Sequence, residues 1–439
     1  MRYLSRLFQP VITIPKNAKI KNTEITCKSQ KLLLECGLIR PTSSGLFTIL
    51  PLARRALDKL EAQIQSCIEA AGAQRMSLPS LTAASLWEKT GRLQEIGPEL
   101  MKLEDRHGKK YLLAPTHEEA VADLLSDVGP LSYKQLPLLL YQISNKYRDE
   151  HRPKHGLLRA REFSMLDAYG VHAGEQCALH MYDAVTAAYA ELFRRLSLPV
   201  HRVSAPSGDM GGSVSHEWQL GAAAGEDALA ACGGCGHTSL EGGGQCARCG
   251  GDVETVNSIE VGHTFILGTR YSEALSASLT PPSGAPQPVL MSCYGIGITR
   301  LLAASLEALS SEKSLRWPEA IAPYNIIIIG PKEGSKEWQT HGVEAISRLY
   351  DRLAQTLDRD VIIDDRHHLT IGKRLMMADR MGYPYIVVIG KASLESPARY
   401  EVYRSTAAAA SVQLLTETEL LAVLADTTNA QRDQIQTTA

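Results

Sequence analysis

Two arginines and an aromatic ring, spaced Arg148-x-Glu150, a long loop, then Arg159-x3-Phe163, are the residues of this 439-residue chain best suited to chemistry on a phosphate. Alternate residues of a strand share a face, so Arg148 and Glu150 are expected to point together, with neighbours on a paired strand beside them. Guanidinium groups stabilise charge that builds on a phosphorus centre during in-line displacement, and an aromatic face can stack a purine. Farther along, Gly295-Ile296-Gly297-Ile298-Thr299-Arg300 carries a strand into glycines and then a helix whose first turn offers Arg300. Backbone can approach a nucleotide there, and a third cation can meet its terminal phosphate. By itself a Gly-x-Gly pair marks only a turn, and the arginine ending does not fit a dinucleotide fingerprint. A different chemistry is offered by Cys232-x2-Cys235 and Cys246-x2-Cys249, two knuckles ten residues apart. Four thiolates at that spacing can close a tetrahedral Zn²⁺ site; free thiols without a metal are the alternative. The odd total of nine cysteines argues for reduced thiols and against a secreted disulfide framework.

The elements that must position these residues can be read from periodicity. Leu32 to Leu34 and the apolar-periodic stretch Leu52 to Ala71, closed by Gly72, predict helices, and an extended segment follows around Pro79. Leu138 to Tyr147 and Leu158 to Met165 predict two strands of a hairpin around a polar turn at Arg152, Pro153 and Gly156. The Gly-, Ala- and Cys-rich run from Ala222 to Gly251 predicts a surface insertion. Val289 to Tyr294 predicts the strand before the glycines, and Thr299 to Leu309 the helix after them. Beyond a linker from Trp317 to Pro323, strands at Ile326 to Ile329, Val361 to Ile363 and Tyr385 to Ile389 alternate with helices at Trp338 to Thr356 and Lys373 to Met381. Such alternation predicts an α/β domain with a partly parallel sheet. The last dozen residues are polar, lack aromatics and predict a loose tail.

Composition bounds the function. With 44% hydrophobic and 21% charged residues the chain has apolar material for two ordinary domains. No run approaches the roughly 18 apolar residues that a transmembrane helix needs, so no membrane partner is expected. A net charge of −2 gives no global pull on nucleic acid, so any RNA contact must come from local basic patches. Met1 to Thr23 holds five basic residues and no acidic one, the composition of a mitochondrial transit segment or of an ordinary basic arm.

Lys146-Tyr147-Arg148-Asp149-Glu150 through Arg161-Glu162-Phe163 resembles motif 2 of the class II aminoacyl-tRNA synthetases, the prolyl enzymes above all. Gly295 to Arg300 resembles motif 3, and the helix before Gly72 with Gly72 to Pro79 resembles motif 1, which in that family builds the dimer interface. The resemblance implies an α+β catalytic domain on a mixed, mainly antiparallel sheet, a C-terminal α/β anticodon-binding domain, ATP with Mg²⁺, tRNA(Pro) and a homodimer. It implies ATP binding by Arg148, Glu150, Arg159, Phe163, Gly297 and Arg300, with Arg148 on the α-phosphate, Arg159 and Arg300 on the distal phosphates and Phe163 on adenine. Thr116-His117-Glu118-Glu119 is similar to the Thr-x-Glu loop that receives proline's secondary ammonium, which keeps its charge when a carboxylate meets it. The same residues also read as an N-cap opening a helix at His117. Gly211 to Glu217 matches a segment lining the same pocket, with His216 the expected contact, and Arg148 and Cys293 complete the proline set.

The domain from about Ala322 resembles the anticodon-binding domain of several class II synthetases, which implies roles for Asp364, Asp365, Arg366, Gly372 and Lys373, with Arg374 and Arg380 extending a basic patch. Bacterial-type prolyl enzymes carry a large editing domain between motifs 2 and 3, and the roughly 120 residues from Tyr169 to Cys293 are too few for one. Its loss resembles the mitochondrial branch and implies the mitochondrial matrix. The expected organisation is a transit segment at 1–25, a catalytic domain at 26–320 with a Cys-rich insertion at about 226–256, and an anticodon-binding domain at 321–439. A non-catalytic subunit of the same architecture would lose the phosphate-binding arginines, and all three stand here. Thr116-x-Glu118 and the Cys293 to Gly297 context favour proline over threonine.

Overall fold

The computed structural model describes residues 1–10, 24–240, 244–357, 359–405 and 410–425. Apolar side chains at helical spacing give α1 (Lys28–Glu35) and α2 (Pro51–Ala70). Helix α2 opens on Pro51, whose missing N–H costs nothing in a first turn, and buries Leu57, Leu60, Ile64 and Ile68 on one face. After β1 (Gln74–Arg75), α3 (Glu118–Val128) precedes the hairpin of β2 (Leu138–Tyr147) and β3 (Glu162–His172). Then come α4 (Glu175–Arg195), β4 (Val200–Ser204), β5 (Val214–Gly221), β6 (Asp227–Cys232), β7 (Thr238–Ser239), β8 (Val253–Gly268), β9 (Leu290–Gly297) and α5 (Ile298–Leu309).

These strands form one nine-stranded sheet in the order β4-β5-β8-β9-β3-β2-β1, with β6 and β7 added alongside the start of β8. Every pairing in it is antiparallel except that of β1 with β2. Helices α2, α4 and α5 cover one face and bury a core that includes Leu57, Tyr189, Phe193, Trp218 and Leu301.

The C-terminal unit contains β10 (Ile326–Ile329), α6 (Lys336–Thr356), β11 (Val361–Asp364), α7 (Ile371–Met381), β12 (Tyr385–Val388), β13 (Arg399–Ser405) and β14 (Ala410–Thr416). Its sheet order is β11-β10-β12-β13-β14, with β10 parallel to both neighbours and the last two pairings antiparallel. All four isoleucines of β10 are fully buried, as a central parallel strand covered on both faces requires. Asp360, just before β11, draws Arg2, Arg55 and Lys59, and the last two come from α2, which packs on the large sheet. Burial would raise its pKa, but these cations hold it below the ordinary carboxylate range. Among the described residues no helix is long and apolar enough to cross a membrane.

Several expectations need correction. The second hairpin strand starts at Glu162, not Leu158, because His155 (φ 58°) and Gly156 (φ 62°) turn the chain into a 3-10 segment at Gly156–Leu158. It runs on to His172 because Leu166 to His172 are buried on both faces and show no alternation. Arg148 and Glu150 lie beyond the end of β2, in the loop. The Cys-rich stretch lies mostly at the surface but is built onto the large sheet: β6 pairs along β8, and Leu229, Ala230 and Cys232 are buried. Arg374 adds nothing to a basic surface, being fully buried with its guanidinium on the carbonyls of Gly330 (2.6 Å) and Asp364 (3.2 Å), while Arg380 pairs with Glu35.

The first residues assigned to a transit segment are docked on the C-terminal sheet. Tyr3 bridges to Ile363 in parallel, Leu4 is buried, and the Ser5 N–H donates to Asp365 at 2.9 Å. Lys16, Lys19, Lys21 and the expected C-terminal tail lie outside the described residues.

Candidate active site

Strand register decides which side chains meet. Glu217 lies opposite His263, Phe265 opposite Cys293, Cys293 opposite Tyr169, Gly295 opposite Asp167 and Gly297 opposite Met165. Odd-numbered residues of β3, β5 and β9, with His263 and Phe265 of β8, therefore share the face away from α4, and a bulge opposite Trp218 and Gln219 brings Glu260 to the same cleft, of about 600 Å³. Gly295 brings no side chain to that face, which leaves room over the strand.

Thr116, Glu118, Arg148, Glu150, Arg159, Phe163, Cys293, Gly297 and Arg300 all line this one cleft. His216 does not. It is an even residue of β5 and faces α4, where its Nδ1 meets the Tyr182 hydroxyl at 2.7 Å. The histidine that these strands bring to the cleft is His263, stacked on Phe265 with ring centres 3.9 Å apart and hydrogen-bonded to Ser215 at 2.7 Å.

At one end the cleft is cationic. The Arg148 guanidinium sits over the Phe163 ring, 5.3 Å from its centre, and among the described residues it has no side-chain hydrogen bond or ion pair. Burial and the nearby Arg300 pull it below the ordinary guanidinium value, and the opposite charge of an arriving anion would offset both. Arg300, from the first turn of α5, donates Nε–H to the Leu158 carbonyl at 3.0 Å and lies 3.4 Å from Glu260. Arg159 is shared between Glu150 and Glu226, at 2.8 Å each, and Lys154 also pairs with Glu226.

At the other end the cleft is acidic. Arg92 is buried between Glu119, 3.0 Å away, and Glu118, 3.5 Å away, with its guanidinium over Trp87. Burial disfavours its charge, but the two carboxylates outweigh that and hold its pKa above the ordinary value. Burial and the neighbouring Glu118 push the Glu119 carboxyl up while Arg92 opposes them, and on formal charges one guanidinium between two carboxylates leaves one negative charge over. The Thr116 hydroxyl donates to Glu118 at 2.5 Å, and α3 starts at Glu118 with no side-chain cap, so the capping alternative does not form.

Beneath them, Asp167 accepts from Lys146 (2.5 Å), Gln142 (2.9 Å) and Tyr169 (2.7 Å). Burial alone would raise the Asp167 pKa, but His117, Lys146 and Gln142 keep it low, so this pair is internally neutral. Arg92→Ala leaves Glu118 and Glu119 buried without their cation and should destabilise the fold by about 3–5 kcal/mol. Urea unfolding reads this directly; an unchanged midpoint would mean that the two carboxylates are compensated elsewhere.

Between the two ends, Glu217, Glu260 and His263 offer ligand atoms within 4.8 Å of one another. Burial would raise Glu260, but His263, Arg300 and Arg148 bring it below the ordinary carboxylate range; burial and repulsion from Glu260 raise Glu217. Arg92, Asp167, Glu260 and His263 were missed from sequence, and Glu217 was named only as the end of the segment from Gly211, with the contact given to His216 instead. Of these only Glu260-x2-His263 carried a local signal, two potential ligands close together, and it becomes meaningful only when β8 is placed opposite β5 and β9.

Of the anticodon-binding set, Arg366 is tied to Asp364 at 2.7 Å and Asp365 accepts from Ser5. Lys373 is exposed. The first two sit at the end of β11, and Lys373 in the first turn of α7.

Residues 101–309 match the family model described as tRNA synthetase class II core domain (G, H, P, S and T), and residues 325–425 match the one described as anticodon binding domain. Curated relatives include the probable mitochondrial proline–tRNA ligase of Homo sapiens, 45% identical over 91% of this chain and 86% of that one. Another is the proline–tRNA ligase of Sulfurimonas denitrificans, 34% identical over 88% of this chain and 92% of that one. The fold is shared with a solved prolyl-tRNA synthetase of Giardia lamblia in complex with prolyl-adenylate, at TM-score 0.75 and 18% identity, covering 90% of this chain and 75% of that one. A class II core followed by an anticodon-binding domain, with such identity over almost the whole length, places this chain in the proline–tRNA ligase family.

Proposed function

We propose that the cleft activates proline with ATP and passes the prolyl group to tRNA(Pro), with Arg148 as the central phosphate-binding side chain. The observation that carries this reading is the cleft's polarity: a guanidinium with no carboxylate ion pair among the described residues at one end, and two carboxylates sharing one guanidinium at the other. An amino acid and a nucleotide laid along such a cleft bring carboxylate and α-phosphate together, so the work is positioning and electrostatic stabilisation. Glu118 and Thr116 receive the ammonium of proline, with Cys293 against the ring. Phe163 stacks adenine. Arg148 steadies the α-phosphate, and Arg300 and Arg159 meet the distal phosphates, Arg159 by exchanging Glu150 and Glu226 for phosphate oxygens.

Glu217 and Glu260 supply the oxygen donors that Mg²⁺ prefers, and the ion when bound with ATP neutralises phosphate charge. Transfer then needs only the terminal ribose hydroxyl of tRNA to displace AMP. Lys373, Arg366 and Asp365 hold the anticodon end. A homodimer forms through the motif 1 region, supported by exposed Leu81, Leu124 and Val128 on neighbouring elements. The relatives named as mitochondrial support work in the mitochondrion, and we place it in the matrix. The domains divide at about residues 25 and 320. ATP–pyrophosphate exchange assayed across the twenty amino acids tests the reading, and a chain that fails to respond to proline sinks it.

Misactivation follows from the same geometry. Between β3 and β9 the described chain is spent on α4, on β4 to β8 and on short elements of the same unit, with no separate hydrolytic domain. Alanine fits any pocket that admits proline and lacks two ring carbons, each worth roughly 1–3 kcal/mol, so exclusion is limited to a few powers of ten. Alanine should therefore support weak exchange, and pre-formed alanyl-tRNA(Pro) should hydrolyse no faster with the protein than without it. Rapid deacylation would reveal a hydrolytic site in this chain.

A further inference from the structure

The cysteine knuckles stand outside the cleft, and neither reaction step uses them. Their backbone is the same turn written twice, in Cys232-Gly-Gly-Cys235-Gly236 and Cys246-Ala-Arg-Cys249-Gly250. The Gly236 N–H donates to the Cys232 carbonyl at 3.0 Å and the Gly250 N–H to the Cys246 carbonyl at 2.8 Å. Both glycines take positive φ, 69° and 72°, which a side chain would resist. The turns converge their sulfurs: Cys232 and Cys249 Sγ are 3.5 Å apart, Cys235 and Cys246 Sγ 3.6 Å, and all four lie within 4.8 Å of one another. These separations are far beyond the roughly 2.05 Å of a disulfide. They surround the value of about 3.8 Å between ligands of a tetrahedron with Zn–S near 2.3 Å. The Arg248 N–H also points at Cys246 Sγ, 3.4 Å away, as a donor that favours thiolate.

The position of these turns matters as much as their geometry. The first joins β6 to β7, and the second leads into β8, with Cys232 opposite Val253. The ribbon that they close has little core, chiefly Leu229 and Ala230, while Glu254, Thr255 and Val256 are exposed. A ribbon of this size is marginal in water without a staple. At its other end, about 20 Å away along six residues of strand, β6 begins at Asp227, next to Glu226. Glu226 is the carboxylate that holds Lys154 and Arg159 of the motif 2 loop, and Asp227 accepts from Gln219 at 3.0 Å.

We propose that Cys232, Cys235, Cys246 and Cys249 bind one structural Zn²⁺, and that the staple positions Glu226 and hence the phosphate-side loop of the cleft. Binding displaces the thiol protons and closes the β6–β8 ribbon. Glu226 then acts as a positioning residue through Arg159 and Lys154. The second half of the proposal rests on the ATP reading of the cleft; the first half does not, so metal analysis and kinetics can fail separately.

The test uses the full chain purified without chelator. Elemental analysis should find about one zinc per chain, and Cys246→Ser and Cys235→Ser should each lose it. Cobalt(II) exchanged into the unmutated chain should show the visible absorption of a tetrahedral thiolate site, which covers the case of a variant that does not fold. Zinc below about a tenth of an equivalent, or cobalt without that absorption, overturns the site. For positioning, zinc stripped from the folded protein should raise KM for ATP about tenfold in pyrophosphate exchange, leave KM for proline unchanged, and be reversed by added zinc. Equal changes in both KM values, or none in either, overturn the positioning role.

Discussion

Arg148→Ala is expected to lower proline-dependent ATP–pyrophosphate exchange by about 10²–10³-fold while the protein stays folded, because it removes one preorganised cation from developing charge. The fold should survive because Arg148 has no ion pair to lose among the described residues; its side chain contacts the Phe163 face instead. Removing it also relieves repulsion with Arg300, which offsets part of any packing loss. The effect should fall on kcat, as expected of an interaction made chiefly in the transition state, more than on KM for proline. Exchange within a few fold of the unmutated protein, in a variant with unchanged unfolding, would remove Arg148 from the α-phosphate.

Glu118→Gln should leave ATP binding intact and cost proline dearly. The carboxylate is buried, and with Glu119 against Arg92 it supplies the excess negative charge that a secondary ammonium needs. Breaking one partner of a buried charge pair costs about 2–5 kcal/mol, or roughly 30- to 5,000-fold in kcat/KM for proline. Glutamine keeps the size of the side chain and can still accept from Thr116, so the loss reports charge and not collapse. It also leaves Arg92 one carboxylate, so stability should change far less than in Arg92→Ala. If kcat/KM for proline drops by less than tenfold, or if KM for ATP rises in parallel, the acidic end of the cleft is not the ammonium site.

Much of the cleft was legible because its side chains sit in short local patterns. Arg148, Arg159 and Phe163 are within sixteen positions on one hairpin, and Gly295 to Arg300 is a single strand-to-helix turn, so short patterns that together resemble motifs 2 and 3 carried them. His216 shows where this stops. It and Glu217 are adjacent, yet a strand sends neighbours to opposite faces, and only pairing with β8 shows that Glu217 and His263 face the cleft while His216 faces Tyr182. Lys373 and Arg374 are also adjacent on α7, one exposed and the other buried under the carbonyls of Gly330 and Asp364.

Periodicity and residue type determined by themselves the two-part architecture, the parallel strands of the C-terminal unit, the hairpin and glycine turn, and the paired cysteine knuckles. Each is a local matter of backbone preference and of apolar residues at fixed spacing. Tertiary structure alone decided which charges meet. Arg92 joins Glu118 and Glu119 from a separate short helix, and Glu260 reaches Arg300 from the next strand. Arg2 finds Asp360 at the far end of the chain, which turns a basic N-terminal segment into part of the C-terminal sheet. Coulomb attraction depends on distance in space, and burial sets its strength. Neither quantity is written in the order of residues, so the polarity of the cleft exists only once the sheet has brought its strands into register.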